Sequence, residues 1–155
     1  MNLDRLSLGE KVLGASGLLL FLSSFVGYWI KAEVEFAGAG VTERGNAWDG
    51  YGILLKLGLI CALAAAVLVI ARAANANLSL PWSNVYKGLA GVTLACLVIQ
   101  LLIGPEEVEG LAGVEISRGI GLIVGTLLAA AMAAGAFMHA EAPGSTTVTP
   151  GTATT

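Results

Sequence analysis

The run Tyr51–Ala71 constrains this chain more than any other stretch. It is apolar throughout except for Lys56, and it stops at Arg72. A helix needs about 20 such residues to cross the hydrocarbon core of a bilayer. Similar stretches occupy residues 12–30, 85–103 and 119–138. Charged residues make up 12% of the chain and hydrophobic ones 56%, with a mean hydropathy of +0.82. Soluble domains carry about twice that charge. The sequence therefore predicts an all-α fold: a polytopic membrane protein with a four-transmembrane-helix bundle over residues 1–140 and the lipid bilayer as its first partner. Residues 141–155 are rich in Thr and Pro and offer almost nothing to bury, so a disordered tail is expected there.

Several function classes are disfavoured. The net charge is −3 and there is no Lys/Arg cluster, so no nucleic-acid partner is expected. Cys61 and Cys96 both lie inside apolar runs, form no CxxC pair, and read as inert thiols in a helix interface. No A-x-A-like site follows the first apolar run. It reads as a span, with Tyr28-Trp29 as its interface anchor.

In chain order, Ser7-Leu-Gly-Glu10 fits a capping box at a helix start. Ser16, Ser23 and Gly27 fall near one helical face and suit close packing. In the connection 31–50, Ala32–Phe36 alternates polar and apolar residues, Gly38-Ala-Gly40 can turn and Val41–Arg44 can return, a pattern compatible with a hairpin. Trp48 and Asp49 are candidates for a partner-binding loop. The simpler reading makes Trp48 and Tyr51 an interfacial belt and Asp49 a helix cap. At about 100° per residue, Gly58, Cys61, Ala62 and Ala65 gather on one side of the second span, and Lys56, Ile60, Leu63 and Val67 on the other. Lys56 is thus expected to snorkel from a lipid-facing side.

Pro81 suits a first helical turn, and Trp82 with Tyr86 forms a second aromatic belt. Thr93, Cys96 and Gln100 make the most polar stripe inside any span, which implies a helix–helix contact or the wall of a polar cavity. After an acidic loop bearing Glu106, Glu107 and Glu109, Glu115 and Arg118 are spaced as neighbours on a helix. Ser117, Gly121, Gly125, Ala129 and Ala133 form a sustained small-xxx-small series, with Gly121, Gly125 and Ala129 at its centre. Arg118 shares its angle with Gly125, Ala129 and Ala136. It is expected to be buried in protein with Glu115 and Gln100 as partners, whereas Lys56 is not; Arg118, Glu115, Gln100 and Lys56 all fall in the outer third of the membrane and form the candidate polar cluster.

Arg5, Lys11, Arg72 and Lys87 on one side modestly outnumber Lys31 and Arg44 on the other, where Arg118 lies at the edge of the fourth span; that bias predicts both termini in the cytoplasm of a multi-pass plasma-membrane protein. Asn46-Ala-Trp48, the span spacing and the tail together resemble the small four-span membrane proteins of unknown function common in actinobacteria. That resemblance implies no activity and no site residues. The residues themselves favour a non-enzymatic accessory, scaffold or assembly subunit with a membrane-protein partner or a homo-oligomer. The alternative is a small transporter or channel lined by Arg118, Glu115 and Gln100. The small multidrug transporters carry a carboxylate in their first span, and none occurs here within 12–30. No cofactor is expected: His139 is the only histidine, so one chain cannot offer two to a haem, and a thiol–quinone enzyme would want CxxC.

Overall fold

A backbone surrounded by hydrocarbon must satisfy its N–H and C=O groups internally, so the long apolar runs fold as helices. The computed structural model describes residues 6–36, 39–49, 51–74, 81–105 and 114–140. Its elements are α1 (Leu8–Ser23), β1 (Ile30–Phe36), β2 (Ala39–Gly45), α2 (Ile53–Ala73), α3 (Trp82–Ile103), β3 (Val114–Arg118) and α4 (Ile120–Ala140). Three of these helices, Ile53–Ala73, Trp82–Ile103 and Ile120–Met138, are long and apolar enough to cross a membrane. Arg5, the Asn75–Asn77 connection, Glu106, Glu107, Glu109 and the tail 141–155 lie outside the described residues.

Two expectations are corrected. The run at 12–30 is not helical to its end, because α1 stops at Ser23 after 16 residues. The Ser23 and Ser24 hydroxyls donate to the carbonyls of Leu20 and Phe21, and hydroxyls of this kind compete with the helical ladder. The chain then turns, and Trp29 N–H donates to Gly45 O, where strand pairing begins. The fold is also not all-α. The strands form an antiparallel sheet in the order β2-β1-β3, with Lys31 opposite both Arg44 and Ser117, and Ile30 opposite Gly45 and Arg118. The alternation read in 32–36 supplies β1. The third strand is only five residues long and its partner lies far away in sequence, so local patterning does not reveal it.

The helices run up and down. α1 packs on α2 and α4, and α3 packs on the same two helices, which closes a four-helix ring with the sheet at one pole. Leu13, Leu20, Leu55, Leu59, Leu97, Leu122 and Met132 fill its interior. Backbones meet closely where side chains are small. A Cβ added at Gly135 would lie 2.7 Å from Gly9 O, and one at Gly17 would lie 2.8 Å from Ala62 O. On α2, Gly58, Ala62 and Ala65 are buried, while Ile60 and Val67 are more than half exposed.

Candidate functional site

The sheet pole is organised by Trp29, which is fully buried. Its indole N–H donates to Ser23 O at 2.7 Å, and its carbonyl accepts from Tyr51 OH at 2.9 Å and from Gly119 N–H at 2.8 Å. Gly121 N–H donates to Tyr28 O at 2.9 Å. Gly121 and Gly125 of α4 are buried beneath these aromatics. A Cβ on Gly121 would lie 2.5 Å from the Tyr28 ring, and one on Gly125 would strike the Trp29 ring. Ala129 is buried one turn further along the same face. Trp29 is therefore not an interface anchor. It is the wedge between α1, the sheet and α4, and the glycine series of α4 is the sequence signal that something large sits there.

Asn46-Ala-Trp48 clamps β2 onto the end of α1. Ala47 N–H donates to Ser24 O, Trp48 Nε1 donates to Ser24 Oγ at 2.9 Å, and the Trp48 indole stacks on Phe25 at 5.7 Å. Asp49 is exposed. The cap of α2 is Gly52, with no side-chain bond, so Asp49 does not cap the helix. Tyr51 is buried, and burial pushes its phenol up to about 12 against an opposing pull from Arg118.

The four residues expected to cluster are placed differently. Gln100 is buried, and its amide donates to the carbonyl of Gly104, where φ is 94° and the chain leaves α3. Arg118 belongs to β3 and is exposed, so its expected burial on a helical packing face is corrected. Its guanidinium donates to Leu102 O at 3.0 Å and also lies beside Gly104. Gln100 and Arg118 thus converge on one turn of backbone. Glu115 lies in the same extended strand, opposite Glu33, so it has no helical i,i+3 relation to Arg118. Lys56 is half-buried on α2, which does not contribute to this corner. Ile103, Gly104, Pro105, Ile116, Ser117 and Arg118 line a depression of about 380 Å³. A guanidinium at its rim can hold a carboxylate or a phosphate. Among the described residues no group of His, Cys, Asp and Glu could hold a metal, and the side chain of His139 lies outside them.

The other pole holds the charge pair that the sequence reading missed. Glu10 closes a capping box with Ser7, and its carboxylate also meets Arg72 Nη1 at 2.6 Å while only 1% exposed. Arg72 in turn lies 5.4 Å from the centre of the Trp82 ring, whose neighbour Tyr86 is fully buried. Lys87 sits over the Phe137 ring at 5.7 Å. Glu10 as a cap and Arg72 as a topology marker are each complete explanations in one dimension, so nothing in the sequence joins them. Midway along α3, the Thr93 hydroxyl lies 2.9 Å from Leu89 O in its own helix and 3.2 Å from Gly58 O of α2, and Cys61 and Cys96 are free thiols. No protein-family model matches this chain, and no curated protein proves similar to it.

Proposed function

We propose that this is a four-span, non-enzymatic subunit that scaffolds or helps assemble a membrane complex, with its sheet pole facing the partner. In this reading α1 is the fourth span. Its 16 residues cover about 24 Å, short of the roughly 30 Å core, and the exposed Leu18, Leu19, Leu22, Phe25 and Val26 carry its apolar surface past the helix end. The resulting topology puts Lys11, Arg72 and Lys87 at the cytoplasmic pole and the sheet outside, with both termini inside.

The observation that carries the choice of a scaffold over a transporter is how the buried polar groups are used. The Thr93 hydroxyl and one N–H of Gln100 are directed at backbone carbonyls, and bulky aliphatic side chains fill the space between the helices. A solute path needs polar groups left over to face the solute. Purification under mild detergent tests the reading. A stoichiometric complex with a second membrane protein is the expected outcome. A lone oligomer that conducts ions or solutes in liposomes would replace the scaffold with a transporter.

A further inference from the structure

Beyond the scaffold reading, we propose that the groove between α1 and α2, at the pole of Glu10 and Arg72, holds an acyl chain of an anionic phospholipid, with Lys11 at its headgroup. The groove measures about 330 Å³. Its α1 wall is Lys11, Gly14, Ala15 and Leu18. Its α2 wall is Ala66, Val69, Ile70 and Ala73. Both sets are spaced i, i+3, i+4, i+7, which is one stripe along two turns of a helix. The stripes run antiparallel, with Lys11 and Ala73 at the pole and Leu18 and Ala66 deeper in the bundle. At 1.5 Å per residue each extends roughly 10 Å along the helix axis, the direction in which lipid chains run. The helices touch beneath the groove. A Cβ on Gly14 would lie 2.9 Å from the Val69 side chain, and one on Gly17 would lie 2.8 Å from Ala62 O. Ala66, Val69 and Ala73 are buried and make the floor, while Ala15, Leu18 and Ile70 are exposed and make the rim.

Shape selects the chain. A partner helix is about 10 Å across with its side chains, too thick to enter between two helices already in contact. A polymethylene chain is slender enough, and the apolar walls offer it nothing but hydrocarbon. Charge selects the headgroup. Among the described residues the charges at this pole are Glu10, Lys11, Arg72 and Lys87, so cations are in excess. Glu10 is neutralised by Arg72 at 2.6 Å, and Lys87 lies over Phe137. Lys11 is exposed, and among the described residues it makes neither an ion pair nor a ring contact. Its methylene stem is part of the groove wall, so its ammonium can sit at the groove mouth, at the level of a lipid phosphate. A zwitterionic headgroup brings a cation of its own to that place, whereas an anionic one complements the pole. The inference holds for a scaffold and a transporter alike, and rests on one part of the proposed function, that α1 spans the membrane.

The test uses the full-length protein in phosphatidylcholine nanodiscs. These carry a small fraction of phosphatidylglycerol with a photoreactive group in one acyl chain, or the matching phosphatidylcholine probe. Irradiation and peptide mass spectrometry locate the label. The expected label falls on residues 11–18 and 66–73, several-fold stronger from the phosphatidylglycerol probe. Ala15→Trp should remove it with both probes, because a side chain on α1 leans back toward the helix start and would cover the groove. Lys11→Gln should keep label in the groove but lose the preference, and Lys11→Arg should retain both. Both positions are exposed, and an unchanged melting temperature verifies that each variant is folded. Label spread evenly over the exposed faces of the helices would overturn the site, as would equal groove labelling by the two probes in wild type. Protection of the groove by a co-purified protein, with no lipid label left there, would assign it to a partner helix and overturn it too. Label on α2, α3 and α4 with none anywhere on α1 would sink the fourth span together with the site. Label on α1 only outside the groove would sink the site alone.

Discussion

The two poles of the bundle solve the same problem in different ways. Each must terminate apolar helices and keep them in register. One pole does so with charge: Glu10 of α1, 1% exposed, is held by Arg72 of α2. The other does so with shape and backbone hydrogen bonds. There Trp29 fills the room left by Gly121 and Gly125, its carbonyl gathers Tyr51 and Gly119, and the cations Lys31, Arg44 and Arg118 stay exposed. A basic residue at a span end therefore has no fixed meaning. Its value depends on whether a carboxylate is buried beside it.

The sharpest way to break this contrast is to remove the buried carboxylate. Glu10→Ala strands Arg72 and dismantles the capping box together. Losing one partner of a buried pair costs about 3–5 kcal/mol, and a cap about 1 more. Arg72 is 35% exposed and can partly rehydrate, so the expected loss lies near the lower end, about 3 kcal/mol. Reversible unfolding in mixed micelles measures it. A loss under about 1 kcal/mol would make the two poles alike.

Next in size is the shape of the sheet pole. Gly125→Ala places a methyl group against the Trp29 ring and should cost about 1–3 kcal/mol by overpacking. Gly88→Ala on α3 meets nothing within 4 Å and should be neutral or stabilising by up to about 1 kcal/mol. If the two behave alike in the same unfolding assay, Trp29 is not a wedge.

The polar side of that pole is tested at Tyr51. Tyr51→Phe removes the donor to Trp29 O and should cost about 0.5–1.5 kcal/mol. The phenol's folded pKa, about 12, lies above its ordinary 10.0, so the neutral form is the one the fold favours. Its contribution is complete below about pH 10 and is lost as pH rises through about 12. Absorbance near 295 nm should therefore show a phenolate that appears only near pH 12 and is missing in Tyr51→Phe. Ionisation of all phenols near pH 10 would contradict this.

How legible was this in the sequence? Features with a local period were. Hydropathy located α2, α3 and α4 to within a few residues, S-x-x-E located the start of α1, and angular counting separated Gly58, Ala62 and Ala65 from Ile60 and Val67, whereas Cys61 and Leu63, assigned to opposite sides, are both half-buried. Features that depend on distant residues meeting were not. β3 exists because β1 offers it an edge, and Glu10 meets Arg72 because α1 and α2 run antiparallel. The apolar run 12–30 misled because a buried strand start such as Trp29-Ile30 has the same hydropathy as a helix end. The same confusion displaced Arg118: carrying the helical angle of α4 backwards assigned it to a packing face, whereas its backbone is already extended.

Arg118 gives the smallest and most discriminating expected effect. It and Arg72 are both arginines at the edge of an apolar run, so a hydropathy profile treats them alike. Arg72 meets a carboxylate that water scarcely reaches, whereas the described partner of Arg118 is the neutral carbonyl of Leu102 at 3.0 Å, on an exposed side chain. Water can replace that single bond when the side chain is cut back, so Arg118→Ala should cost about 0–1 kcal/mol. Lys56→Ala should fall in the same range, because a half-buried lysine one turn into α2 can reach the headgroups. Arg72→Ala, measured alongside them, should cost clearly more, since it leaves the Glu10 carboxylate buried without its cation. A loss at Arg118 matching that at Arg72 would mean that the sheet pole, too, rests on a buried charge, and the contrast between the poles would fail at the residue where sequence and structure disagree most.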